Sequence, residues 1–450
     1  MNSKNKRNGA SRREFIELLA AGSVGATAAG LGAGSVANQA QAETRTADRS
    51  RYKIFSPGRI GKLKLKNRII RSAAFEGGGA PTGEVNEDMI RIHRAYAEGG
   101  VALTITGYMA VMEYGKKATH VCAYDDRFIP GLKRVADAVH AGGADCKIAA
   151  EIGHDGTSVP NRRGDKASQP PLISPTGAKW PARIGPSGIN WKGEKDGHAM
   201  TESEIKRFCE DMGQAARRLK EAGFDAVEIH GAHHYLINTF FSPFTNRRTD
   251  RYGGSLKNRV RIVAEMVSRM REHVGRDFPI IIKLNCDDGP ADNGTPGETD
   301  IHTFPALVRE VVRAGVDAID VSGGEKPGDP LRMEISDPKD QSFYRRYAEA
   351  IDVDVPIILG CGNRNVELLE KIINTGKVDF FCFARPLVRD PDLAKRWLEG
   401  RGGAASECIN SNLCFRELYV TGGPVRCVVL AEMQKSAEVV LKARNAGYGV

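Results

Sequence analysis

From about residue 50 onward the chain alternates between two hydrophobic patterns. Runs of consecutive apolar, often β-branched residues occupy 67–74, 101–107, 147–153, 224–231, 279–286, 318–323, 355–360 and 379–384. Between them, apolar residues recur every three to four positions over 86–98, 127–141, 201–222, 258–273, 302–314, 339–350 and 364–374, and again over 390–399 after the last run. The first pattern predicts strands buried on both faces, as in a parallel sheet covered by helices; the second predicts amphipathic helices. Several helical segments run into glycine, at Gly99, Gly142, Gly223 and Gly315. Glycine accepts the left-handed conformation that often ends a helix. Eight strand–helix units predict an α/β fold, one (β/α)8 or TIM barrel. A doubly wound sheet would want a GxGxxG turn after its first strand, and none follows residues 67–74.

Residues 155–200 form a long insertion after the third strand, rich in Gly, Pro, Lys and Arg and carrying Trp180 and Trp191. An insertion there emerges at the C-terminal rim of the barrel, where a lid or specificity element is expected; a plain connector is the alternative. The predicted organisation is an address segment over 1–42, a barrel over 43–400 and a C-terminal extension over 401–450.

Composition narrows this little further. With 41% hydrophobic and 27% charged residues the chain is neither disordered nor collagen-like. A net charge of +9 is dispersed among 56 acidic residues, so no basic stripe of the nucleic-acid-binding kind arises. The start changes the picture more. Arg12-Arg13 precede a Gly/Ala-rich apolar stretch from Leu18 to about Val36, and Ala40-Gln41-Ala42 has the small-x-small form of a signal-peptidase site. This resembles a twin-arginine signal, which exports folded proteins, and predicts a periplasmic or otherwise exported protein with a cofactor already bound. The glycines in the stretch argue against a stable membrane span. Nine scattered cysteines do not form a disulfide framework.

Polar residues at the C-terminal ends of barrel strands are candidates for catalysis. The predicted rim carries Thr106 and Gly107, Glu151 and His154, His230 and His233, Lys283 and Asn285, Ser322-Gly323-Gly324, Gly360-Cys361-Gly362, and Ala384-Arg385. Glycine-rich backbone after strand seven with arginine after strand eight is the phosphate cradle of this fold. A metal site at His230, His233 and His234 is disfavoured, because adjacent histidines on a strand point opposite ways and no acidic ligand lies within the cluster. Lys283 reads either as a Schiff-base nucleophile or as a fixed positive charge beside something that becomes anionic.

Residues 222–261, AGFDAVEIHGAHHYLINTFFSPFTNRRTDRYGGSLKNRVR, resemble the signature of the old yellow enzyme family of FMN-dependent oxidoreductases. Phe55-Ser56-Pro57, NRIIRSAAFEG, GGVALTITG and FCFARPLVRDPDL resemble the same family, so the likeness spans about residues 52–430 and points to its dienoyl-CoA-reductase-like and NADH:flavin-oxidoreductase-like branch. The resemblance implies FMN. Ala73 and Ala74 would lie against the ring, with Thr106, Gly107 and Glu151 at its polar edge, Lys283 near N1 and O2, and Gly362, Ala384 and Arg385 on the phosphate. It implies that His230 and His233 bind a substrate carbonyl oxygen, so that hydride from flavin N5 reaches the β-carbon of a conjugated C=C, with Tyr235 supplying the proton. It also implies departures. Glu151 stands where the family usually has Gln, which predicts a lowered flavin potential or a protonated Glu151. Lys283 stands where many members have Arg, and Phe75 lies near a position that is Cys or Thr in some relatives. Cys408, Cys414 and Cys427 resemble the start of an iron–sulfur segment, but Ser411 replaces one cysteine and no cluster is predicted.

The expected function is therefore reduction of an activated alkene. The alternatives are dehydrogenation or demethylation of an amine-type donor, a flavin-free lyase using Lys283, and an electron carrier. The expected electron donor is NAD(P)H or, for an exported protein, a redox protein or quinol.

Overall fold

Each apolar run becomes a strand hydrogen-bonded in parallel to the next: β1 Ile69–Arg71, β2 Leu103–Ala110, β3 Lys147–Gly153, β4 Ala226–Gly231, β5 Ile280–Asn285, β6 Ala318–Ser322, β7 Ile357–Leu359 and β8 Phe380–Phe383. β8 pairs back onto β1, closing the barrel. The computed structural model describes residues 48–113, 119–143, 145–157, 172–173, 179–180, 183–288, 299–323, 338–414, 418 and 423–435. The twin-arginine segment lies outside them, as do Gly324 and much of the 155–200 insertion.

The helices follow the amphipathic pattern: α1 Glu87–Glu98, α2 Ile129–Gly142, α3 Glu202–Glu221, α4 Leu256–Val274, α5 Phe304–Arg313, α6 Arg345–Glu349, α7 Val366–Ile373 and α8 Leu393–Leu398. Side chains that take up otherwise unpaired N–H groups fix where four of them start. Asn86, Ser255 and Asn365 accept from the first turns of α1, α4 and α7, and Thr201 with Glu204 forms a capping box on α3. Gly223 and Gly315, just past α3 and α5, take φ of 89° and 96°. The helix predicted over 339–350 shortens to α6, preceded by a 3-10 turn at Pro338–Asp340.

Among the elements that were not predicted, three lie at the ends of the barrel. A hairpin pairs Gly58–Ile60 with Leu63–Leu65, and its Ile60 and Leu65 join the apolar cluster of Ile70, Ile281 and Phe380 inside the barrel. The hairpin thereby plugs the N-terminal end. Short helices also form at Leu236–Phe241 and Arg385–Arg389, directly after β4 and β8.

Strand alternation places every second residue inside the barrel, and the inward residues change character from bottom to top. β4 contributes Ala226, Glu228 and His230; β5 contributes Ile281, Lys283 and Asn285; β6 contributes Ala318, Asp320 and Ser322. An apolar layer thus lies below a charged one, and a polar layer lies above both. The segment leaving β1 is tied down by a second buried network. Glu76 pairs with Arg71 at 2.7 Å and His93 at 2.9 Å, and His93 Nδ1 reaches the Thr104 hydroxyl at 2.8 Å. Although burial opposes it, Arg71 and His93 hold the Glu76 carboxyl below its ordinary range.

Candidate active site

Most inward strand residues are fully buried, but Ala73, Ala74, Phe75, His233, Tyr235, Gly323, Cys361, Gly362, Ala384 and Arg385 are only half-buried. All follow the C-terminal ends of strands, so the barrel opens at the predicted rim. His230 ends β4 at its centre. Its ring lies 4.6 Å from that of Tyr235 and 5.0 Å from that of His233. Nδ1 of His230 accepts the Ala232 N–H at 3.4 Å, which leaves the ring proton on Nε2, 3.9 Å from Glu151.

His233 and His234 are not on a strand, as the argument against a metal site assumed. They form a left-handed turn with φ of 57° and 60°. The turn divides their work. His233 Nε2 meets the Ser322 hydroxyl at 2.9 Å while its backbone N–H donates to Asn285 Oδ1. Burial and the neighbouring His230 and Lys283 push its pKa well below the ordinary value, so the ring is neutral. His234 is fully buried against Trp191, with ring centroids 3.9 Å apart, and its carbonyl accepts the indole N–H. One residue of the insertion is thus fastened to the turn that aims His233 and Tyr235. Among the described residues no group of three or more His, Cys, Asp or Glu side chains is arranged to hold a metal ion.

Lys283 points into the charged layer. Its ammonium lies 2.6 Å from Glu151, 2.7 Å from Glu228 and 3.5 Å from Asp320. Burial alone would lower its pKa, but the three carboxyl groups carry it well above the ordinary value. A Schiff-base nucleophile must be a neutral amine, so this environment works against the lyase alternative. The same ammonium answers the charge of Glu151.

Thr106 and Gly107 end the regular part of β2, and the buried Thr106 hydroxyl has no hydrogen-bond partner among the described residues. The register with β3 then slips by one residue between Thr106 and Met109. Such a bulge re-aims the following side chain. Tyr108 is turned into the aromatic group over the rim, 5.8 Å from Tyr235 and 4.6 Å from His120, which in turn packs on Phe75 at 4.8 Å. Its hydroxyl is hydrogen-bonded to buried Asp155, and burial with that contact pushes its pKa well above the ordinary value. Tyr108 was missed because a bulge leaves no mark in hydrophobic periodicity; His120 and Asp155, missed as well, lie in the connections after β2 and β3.

His154 is not at the opening either. It is buried against Phe208 of α3, with Nδ1 accepting the Gly156 N–H at 2.9 Å, and burial pulls its pKa down to about 4. The unfolded chain, at about 6.5, binds the proton more readily, so this group's stability is present above pH 6.5 and lost as pH falls toward 4. The full loss is about 3 kcal/mol. His154→Asn keeps an acceptor without the titration and should flatten the stability curve across that window; parallel curves for the two proteins would refute the assignment.

At the cradle, Cys361 and Gly362 take φ of 64° and 78°, and a side chain at Gly362 would strike Phe343 2.6 Å away. Arg385 starts the short helix after β8 and bonds Asn412 at 2.5 Å. Cys408, Cys414 and Cys427 line a groove beside Arg385 and Arg389. A turned, glycine-containing backbone with an arginine suits a phosphate, and a half-open rim of mixed apolar and polar residues suits a flat ring. These residues fit flavin mononucleotide.

A family model described as the NADH:flavin oxidoreductase / NADH oxidase family matches residues 53–403. Over 391 residues the chain is 34% identical to a metal reductase of Desulforamulus reducens, covering 86% of this chain and 55% of that one. It is 30% identical over 390 residues to a cinnamate reductase of Clostridium sporogenes, covering 80% and 55%. The fold matches a solved 2-naphthoyl-CoA reductase with a TM-score of 0.73 at 24% identity, covering 83% of this chain and 56% of that one. The chain thus spans about half the length of these relatives.

Proposed function

The chain belongs to the NADH:flavin oxidoreductase / NADH oxidase family, and from that premise we propose that it reduces a carbonyl-conjugated C=C bond with FMN as its resident cofactor. The observation that carries this reading is the grouping of His230, His233 and Tyr235 at the half-open mouth of the barrel. Bound FMN supplies hydride chemistry. His230 Nε2–H and His233 serve as donors to the substrate carbonyl oxygen, where negative charge grows as the β-carbon is reduced; donors fixed in advance stabilise that charge without reorganising. Tyr235 protonates the α-carbon. Ala73, Ala74, Thr106, Gly107 and Glu151 would line the ring with the Lys283 ammonium among them, and Gly362, Ala384 and Arg385 would hold the phosphate.

The similarity to a cinnamate reductase supports an α,β-unsaturated acid or ketone as the substrate class. The export signal proposed over residues 1–42 favours a redox protein or quinol as electron donor over NAD(P)H. No described helix is long and apolar enough to cross a membrane.

The test is anaerobic. The purified protein should have a flavin spectrum, bleach with dithionite, and recover its colour on mixing with one class among enones, enoates and nitroalkenes. A flavin that no alkene reoxidises but an amine reduces would replace the proposal by amine dehydrogenation, and a flavin that reacts with neither would leave electron carriage. A colourless protein that FMN cannot reconstitute would refute flavin chemistry.

A further inference from the structure

The charged layer under the rim holds more acid than its cation neutralises. One ammonium, Lys283, faces the carboxyl groups of Glu151, Glu228 and Asp320, and all four side chains are at most 5% exposed. The Glu228 carboxyl lies within hydrogen-bond reach of both Glu151 and Asp320. Two ionised carboxylates have only acceptors to offer each other, so such contacts need a proton. Glu228 Oε1 is also buried with no hydrogen-bond partner among the described residues, and Asp320 Oδ2 has the ammonium no nearer than 3.5 Å. A shared proton supplies the donor.

We propose that Glu228 and Asp320 form a buried carboxyl–carboxylate pair that holds one proton at neutral pH and takes up another when negative charge is placed on the rim above it. Uptake forms one O–H bond with a proton drawn from solvent; no electron moves within the pair. Every charged or titratable group facing the pair bears on this. Lys283 of β5 and Glu151 of β3 are in direct contact, and His230 of β4 stands above Glu151. Cys382 of β8 lies 3.5 Å from Asp320, and Cys361 follows β7. The inward residues of β1 and β7, Ile70 and Ile358, are apolar, and Arg71 is engaged with Glu76. Burial, opposed by Lys283, raises both Glu228 and Asp320 to about 7, so the pair can gain or lose a proton under ordinary conditions. A layer able to change its charge lets an anion form at the rim without adding to the negative charge beneath it.

The proton itself does not depend on the flavin reading; its coupling to the rim does. Infrared spectroscopy of the protein as isolated should reveal the carbonyl stretch of a buried protonated carboxyl, shifted in D2O. Glu228→Gln should lose it, because Glu228 is the carboxyl common to both contacts and no two acids of the layer are then left against each other. Its absence from the unsubstituted protein would overturn the pair. For the coupling, proton uptake is measured with an indicator dye in weak buffer during complete reduction of the flavin. The unsubstituted protein should take up close to one proton more near pH 7 than Glu228→Gln, and equal uptake would overturn the coupling. A protein that shows the band but binds no flavin would keep the pair and defeat the functional reading instead.

Discussion

Replacing Lys283 with methionine is expected to weaken the fold by about 3–5 kcal/mol, the usual cost of removing one partner from a buried ionic group. Three carboxyl groups lose their only ammonium in the layer, and each is shut away from water. Against an ordinary domain stability of about 5–15 kcal/mol, much of the margin would go. The loss should depend on pH in a definite direction. Unfolded carboxylates titrate near 4, whereas Glu228 and Asp320 sit at about 7 in the folded protein. Between those values the folded state binds more protons, so the stability these groups contribute is present at low pH and falls as pH rises through 7. Without the ammonium both acids rise further. The deficit should be largest at about pH 8 and smaller at about pH 5.5. Urea unfolding followed by tryptophan fluorescence at both values is the measurement. A deficit that is negligible, or equal at the two, would mean that water reaches the layer.

The barrel was legible because its signal is long-range and repeated. Buried parallel strands must be apolar on both faces, and the helices that cover them must be apolar on one, so β3 appears at its predicted 147–153 and α3 within one residue at each end of 201–222. The hairpin at 58–65 and the helices at 236–241 and 385–389 are too short to establish a period. Parts of the site were legible for a different reason. Strand ends set where the rim lies, so His230 and the Gly360–Gly362 turn could be placed before any coordinates, whereas Tyr235 came only from the family resemblance. Backbone excursions could not: the left-handed turn at His233–His234 and the bulge before Met109 are choices of conformation that carry no periodic mark. Nor could the partners of Lys283. Glu228 and Asp320 sit inside otherwise apolar runs two residues before His230 and Ser322. Only the closure of the barrel places them against the same ammonium.

Tyr235→Phe is expected to lower turnover of a conjugated alkene by about 10²–10⁴-fold, the range of a positioned general acid. The hydroxyl belongs to a half-buried residue that begins the Leu236–Phe241 helix, with its ring against His230 and Tyr108. Removing one oxygen leaves that packing in place. Flavin content and the rate of bleaching by dithionite should therefore be unchanged, and substrate binding should fall little, because the carbonyl is held by His230 and His233. The loss belongs in kcat of the oxidative half-reaction, with the α-proton then coming slowly from water. A substitution that removed a ground-state contact instead would raise KM and spare kcat. Amine oxidation makes the opposite demand, since no carbon is protonated, and a hydroxyl lost from Tyr235 would then leave no comparable step to slow. Stopped-flow reoxidation of the dithionite-reduced Tyr235→Phe protein by its best alkene separates these cases. Unchanged reoxidation would remove Tyr235 as the acid and turn attention to Tyr108, whose hydroxyl is bonded to Asp155 in the same aromatic group.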